Sequence, residues 1–431
     1  MLLIYTHKIT SRFSYTMRQV FTRILGIDII FTTKVEDFIK HTGPKITYSK
    51  HPLQNEFFVR SSDLLFIHGI SDMEINVENW EGTPCFFRTS GPSAIPYDIF
   101  SASFYLMTRY EEYLPYLKDT HGRFPPSESL ALKHNFLRLP VIDIWAYQFL
   151  AKLKERFPDM ILKERKFQFT SIVDVTSSHC YAHRGPIRSI AGLLLDIGTF
   201  KFKRVLERTS VWLNIKKDPY NNFAKLIEIQ KQYQFKNMFF FQFAEYSTYD
   251  KNVSPENNNF KYLIKSVADY SIVSLAASYS SFRNIELLKE EKRRLANVIN
   301  RPVNYSRMRY NRVDIPYTYR NLVEAEFTDD YTMGYTHEMG FRAGTCTPYY
   351  FYDIAMEEQQ SIIIHPFAIH DYALLHVDSE DEALEKIGVY YDEVKKVNGH
   401  FVTIFSNELL GGDQAINWLS LYSKVIQNYH G

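Results

Sequence analysis

The apolar positions of this chain change rhythm about a third of the way along. Over the first ~165 residues, short apolar runs such as Leu2 to Tyr5 and Asp28 to Thr32 mix with helical spacing and with turn-rich stretches around Gly91-Pro92 and Phe124-Pro125-Pro126. That mixture predicts an α/β domain over residues 1–165. A polar, charged passage from Phe157 to Lys166 marks the boundary, and residues 166–431 form the second domain.

Beyond the boundary, strand-like runs occur at Phe167 to Val175, Met238 to Phe243, Ser271 to Leu275, Val303 to Ser306, Tyr331 to Tyr335, Ser361 to Phe367 and Phe401 to Phe405. Helical spacing lies between them. In Asn284 to Ile299, Leu287, Leu288, Leu295, Val298 and Ile299 share one side. A second helix is predicted from Ser379 to Asn398, where Ser379 and Glu382 make a capping box and Asn398-Gly399 a stop. Alternating strands and helices imply a parallel sheet, and about seven strands favour a TIM-like (β/α)7 deformed barrel over a doubly wound open sheet. In either architecture chemistry collects at the C-terminal ends of the strands, where Asp174, Ser306-Arg307, Arg342 and Ser406-Asn407 are expected.

Composition narrows the classes. With 45% hydrophobic and 23% charged residues, 431 residues suffice for two packed domains. Lys+Arg 50 against Asp+Glu 49 leaves +1, a balance that recommends neither nucleic acid nor an anionic membrane, although local basic patches are compatible with it. The 31 Tyr and 33 Phe suit sugar stacking but more often fill cores. Cys85, Cys180 and Cys346 are too few and too far apart for a disulfide framework, which points to a reducing compartment. Met1 to His7 lacks the features of a signal peptide, and no stretch of about 20 apolar residues offers a membrane span. A cytoplasmic protein is the expectation.

Several stretches then become specific: Tyr5-Thr6-His7-Lys8, Arg109-Tyr110-Glu111-Glu112-Tyr113-Leu114-Pro115 and His121-Gly122-Arg123-Phe124 in the first domain, and Asp330-Tyr331-Thr332-Met333-Gly334-Tyr335 followed by Gly340-Phe341-Arg342-Ala343-Gly344-Thr345 in the second. With these motifs the chain resembles the polysaccharide deacetylase family (NodB-homology, carbohydrate esterase family 4), in the Bacteroidetes form with an extra N-terminal domain. The resemblance implies a divalent metal such as zinc, held by one Asp and two His, that polarises an acetyl group and a water. It further implies an Asp base, an Arg that orients it and a late His acid.

Carried onto this chain, the pattern is incomplete. Asp174 stands at the base position, with Arg342 to orient it and Asp371 to orient Arg342 or a ligand hydroxyl. The ligand positions hold Thr176, Ala276 and Arg309, and the acid position holds Ser406. Alanine offers no ligand, a threonine hydroxyl is a weak one and a guanidinium repels a cation, so no metal or other cofactor is expected there. A serine hydroxyl is too weak an acid for its assigned step. Arg307, Arg309 and Asn407 are the candidate substrate-binding residues, with Arg307 and Arg309 sharing one face of an extended segment.

Other clusters carry less. His365 and His370 could form a substitute metal site, or simply a hydrogen-bonded loop. His179 and His183 are spaced for one helical face, but ordinary surface histidines explain them as well. Cys180 and Cys346 sit near the expected mouth without a paired base. Two functions stay open: a deacetylase-like hydrolase of acetylated cell-envelope saccharide, impaired by its substitutions, and a non-catalytic glycan-binding or scaffold partner of an active deacetylase in surface polysaccharide assembly. An Arg309–Asp174 pair inside the barrel would favour a third, a structural protein with a filled cleft.

Overall fold

The computed structural model describes residues 1–412 and 416–430. The chain opens with a four-stranded parallel sheet in which β1 (Leu2–Tyr5) lies between β2 (Ile29–Thr32) and β3 (Lys45–Ser49), with β4 (Phe57–Arg60) outside β3. Helices α1 (Ser11–Met17), α2 (Ile99–Met107) and α3 (Val141–Arg156) accompany it. Thr10 caps α1 by accepting from the Phe13 N–H at 3.0 Å, and α2 is buried along its whole length.

The second part is a curled nine-stranded sheet, mixed α/β, with the character of a deformed (β/α) barrel. Its strands are β5 (Gln168–Val175), β6 (Met238–Phe241), β7 (Ile272–Ala277), β8 (Tyr305–Met308), β9 (Asp329–Asp330), β10 (Tyr349–Asp353), β11 (Glu358–Ile364), β12 (Ile369–His370) and β13 (His400–Ser406). They lie in the order β10-β11-β9-β8-β7-β6-β5-β13-β12, parallel throughout except for β10 against β11. Residues 365–368 join β11 to β12 and thus bring the two ends of the sheet together. Their hydrogen bonds reach both sides, from His365 N–H to the Asp330 carbonyl (2.8 Å) and from Ala368 N–H to the Val402 carbonyl (3.2 Å).

Strands covered on both faces read as continuous apolar runs, and Met-Phe-Phe-Phe of β6 is buried at all four positions. Alternate side chains go to different cores. Met238 and Phe240 join Ile172, Ala276, Tyr331, Phe367, Val402 and Ile404 in an interior cluster, while Phe239 and Phe241 join the larger core under the helices. That larger core runs without a break into the N-terminal part.

One predicted strand differs. Tyr331 to Tyr335 is a loop, and its strand is only Asp329–Asp330, because Asp330 turns its carboxylate back onto the Thr332 N–H (3.0 Å) and hydroxyl (2.7 Å). β12 is too short for a periodicity argument. The predicted C-terminal helix is Glu380–Lys396; Ser379 accepts from the Glu382 N–H at 3.1 Å, and the Glu382 carboxylate accepts from the Asp378 N–H at 2.9 Å, one residue earlier than a strict capping box requires.

Candidate functional site

Asp174 is the last inward-facing residue of β5 and lies in register with Ser406 of β13 and Phe240 of β6. Arg307 of β8 stands opposite Ala276 of β7 and spans the interior to it, donating from Nε to Asp174 Oδ2 at 2.7 Å. Its Nη1 donates to the Tyr331 carbonyl at 2.8 Å, and its guanidinium lies 5.1 Å from the centre of the Phe367 ring. Both side chains are buried, Arg307 at 2% exposure and Asp174 at 8%. The small Ala276 leaves room beside Arg307 in the same layer. Asp174 is therefore paired by Arg307, and neither Arg342 nor Arg309 is its partner.

The same layer tests the metal implied by the resemblance. Thr176 donates to Glu408 Oε1 at 2.5 Å, Ala276 offers no donor, and Arg309 presents a cation. Asp174 already holds the charge of Arg307. Among the described residues no three His, Cys, Asp or Glu side chains gather in a way that could hold a metal ion. The donor set does not fit the metal that the resemblance implies.

At the mouth, Asp371 is fully buried, accepts from both the N–H and the hydroxyl of Ser406 (Oγ at 3.1 Å), and lies 2.8 Å from His370 Nδ1. Asp371 thus orients Ser406 and His370, not Arg342. Tyr372 donates to the second Glu408 oxygen at 3.2 Å, and burial pushes its phenol pKa up, so it remains a donor. Asn407 donates to the Ser177 carbonyl at 3.0 Å. Among the described residues, the buried polar atoms Asp174 Oδ1, Arg309 Nε and Asn407 Oδ1 around this mouth have no protein partner. Each is available to a ligand hydroxyl.

Arg342 lies elsewhere. It forks onto Glu112 with bonds of 2.7 to 3.0 Å, while Arg109 donates to the same carboxylate at 2.7 Å and to the Arg342 carbonyl. All three side chains are 1% exposed. Burial works against the charge on Arg342, but the Glu112 carboxylate outweighs it and holds the guanidinium pKa above its ordinary value. The Arg109 to Pro115 motif and the Gly340 to Thr345 motif thus meet across the boundary between the two parts of the chain. Asp143 of α3 adds to the junction by accepting from the Thr345 hydroxyl (2.6 Å), the Cys346 N–H (3.0 Å) and Arg165 (3.1 Å).

The histidine expectations also resolve into separate places. His365 pairs with Asp329 at 2.6 Å, stacks on Tyr331 and lies near His400 at the N-terminal end of β13, whereas His370 pairs with Asp371 and lies in register with Ile404 toward its C-terminal end. The two therefore do not share a metal site. His179 is buried, not superficial, and burial lowers its pKa to about 4; its ring lies 4.9 Å from that of His183. Cys346 is buried against Gly399 at the N-terminal side of β13, away from the mouth.

One wall of the mouth was not assembled by sequence reasoning. Tyr249 stacks on Tyr279 at 4.1 Å, and His121 stacks on Tyr310 at 4.7 Å, with Arg312 3.9 Å from the Tyr279 ring. His121 comes from the N-terminal part, in the His121 to Phe124 motif, and Arg123 of that motif donates to the Tyr310 carbonyl at 2.7 Å. Glu408, Tyr372 and Glu112 were likewise unassigned. Glu112 lay inside a quoted motif, but nothing in the spacing gave its partner.

Residues 2–158 match a family of unknown function, DUF7033. No curated protein matches the chain. Among solved structures, the chain is similar to a protein of Mycobacterium smegmatis assigned as a polysaccharide deacetylase, at 12% identity and a TM-score of 0.42, covering 62% of this chain and 85% of that one. It is also similar to Puue allantoinase, at 11% identity and a TM-score of 0.38 over 73% and 91% of the two chains. A third is the BA3943 protein of Bacillus anthracis, a CE4 family pseudoenzyme, at 8% identity and a TM-score of 0.28 over 61% and 62%.

Proposed function

We propose that this chain binds an acetylated saccharide at the barrel mouth without hydrolysing it. The observation that carries the reading is the buried Arg307–Asp174 ion pair, which occupies the residue that would serve as base. Arg307 takes up Asp174 Oδ2 as a hydrogen-bond acceptor, and no imidazole stands at the position of the late acid. Binding needs neither step. The stacked Tyr249, Tyr279, Tyr310 and His121 offer ring faces to a sugar, and the unpartnered atoms of Asp174, Arg309 and Asn407 offer hydrogen bonds to its hydroxyls.

The test combines calorimetry with acetate release, using an N-acetylglucosamine oligosaccharide and an O-acetylated glucan fragment, each with and without added zinc. Binding is expected without acetate release, and a Tyr249→Ala, Tyr310→Ala variant is expected to bind about tenfold more weakly. Zinc-dependent acetate release that disappears in Asp174→Asn would sink the silent reading. Absence of binding to both probes would sink the saccharide reading.

A further inference from the structure

The segment that follows β5 is built inside out. It folds as a helical hairpin, α4 (Pro186–Gly198) and α5 (Phe202–Trp212), between the end of β5 and the next crossover helix, Phe223–Gln232. Between the two helices lies an ion pair: Arg208 donates to Asp196 Oδ2 from Nη2 at 2.6 Å and from Nε at 3.1 Å, both side chains are buried, and Gly192 leaves the space that the guanidinium fills. Outside lie Ile187, Leu194, Leu195, Phe200, Phe202 and Leu206, all more than half exposed, with Ile187 at 83% and Phe200 at 77%. A helix pair of a water-soluble domain is expected to arrange these residues the other way round.

Charge completes the pattern. Although the whole chain carries +1, residues 184–217 hold eight Lys and Arg against two acidic residues, Asp196 and Glu207. Asp196 is spent on Arg208, and Glu207 accepts from the Tyr181 hydroxyl at 2.8 Å. Lys201 and Arg204 flank Phe200 and Phe202 at the hairpin turn, Lys216 and Lys217 follow Leu213 and Ile215, and none of these four cations is in an ion pair among the described residues. The hairpin is anchored to the mouth side of the barrel, where Arg184 donates to the His179 carbonyl (2.8 Å) and Arg188 to the carbonyls of Asn252 (3.0 Å) and Lys251 (2.9 Å).

We propose that the α4/α5 hairpin is a docking surface for an anionic lipid bilayer, lying in the headgroup layer with its apolar side chains in the acyl boundary. Helices of 13 and 11 residues are too short to span a membrane, for which about 20 are needed. Among the described residues no helix is long and apolar enough to do so. Exposed aromatic and aliphatic residues interleaved with unpaired Lys and Arg are what an anionic interface binds. A protein partner is disfavoured by the same charges, since the centres of protein interfaces are depleted in Lys. The attachment of the hairpin beside the barrel mouth would set that mouth next to the lipid surface.

The experiment is flotation of the full chain with vesicles of phosphatidylglycerol mixed with phosphatidylcholine, and with phosphatidylcholine alone. The wild type is expected to float with the anionic vesicles and to be released in part by salt. A Leu194→Ser, Phe200→Ser, Leu206→Ser variant is expected to lose about tenfold or more in partition with its circular dichroism unchanged, because the replaced side chains are exposed. A Lys201→Glu, Arg204→Glu variant is expected to lose only the preference for the anionic lipid. A wild type that stays behind with both compositions overturns the proposal, as does a serine variant that floats like the wild type. An oligomer seen by light scattering, dissolved by the serine variant and indifferent to vesicles, would assign the patch to a second copy of the chain and equally overturn it.

Discussion

Single residues decide whether this barrel has a reactive or a quiet interior. Asp174 and Arg307 were both legible as candidates from their places at strand ends, yet their pairing was not. Register put Arg307 level with Ala276, and only the curl of the sheet let its side chain cross to β5. Deeper inside, His400 is 8% exposed, bonds the Thr170 hydroxyl at 2.7 Å, and burial lowers its pKa to about 3. Unfolded, it titrates near 6.5, so above that pH neither state carries the proton and the histidine costs nothing. As pH falls below about 6.5 the unfolded chain takes up a proton that the folded chain refuses, and stability drops by about 1.4 kcal/mol per pH unit until about pH 3. A His400→Gln variant is expected to lack this component, measured as a smaller fall in urea midpoint between about pH 7.5 and pH 5 than in the wild type. His179 adds a slope of the same sign, and Glu291, raised to about 7 by burial, adds one of opposite sign. Both titrate in the two proteins, so the comparison isolates His400.

At the scale of elements, long buried strands and capped helices were readable, whereas two-residue strands were not. β5, β6 and β13 carry their own periodicity or continuous apolar runs; β9 and β12 exist because neighbours on both sides pair with or cover them. The motif around Arg342 was readable as a motif and misread as part of the mouth, because its partner Glu112 lies 230 residues away in sequence. Glu112→Gln keeps the shape but leaves the buried guanidinium of Arg342 uncompensated. Its expected cost is about 3–5 kcal/mol, read as a lower urea midpoint, with the barrel mouth left intact. A change below about 1 kcal/mol would show that the junction tolerates the loss of its charge.

For the whole molecule, the boundary visible in composition is not a boundary in packing. One apolar core runs through both parts, and Glu112 and Asp143 of the first part satisfy Arg342 and residues 345–347 of the second. The barrel expressed alone as residues 166–431 is therefore expected to be insoluble or to lack a cooperative thermal transition, while the full chain unfolds in a single step. A soluble fragment with native-like circular dichroism and a sharp transition would contradict this.

The sequence by itself determined what local periodicity and side-chain chemistry can determine: alternating strands and helices, the capped helix before β13, and the candidates at the strand ends. These follow from neighbours within a few residues or from the chemistry of one side chain. Only the tertiary structure decided that Arg307 neutralises Asp174, that Arg342 braces the junction, that His121 joins the tyrosines of the mouth, and that the hairpin after β5 turns its apolar side chains outward. Each of these depends on which distant residues the curled sheet brings within reach, and no periodicity along the chain encodes a distance across a barrel.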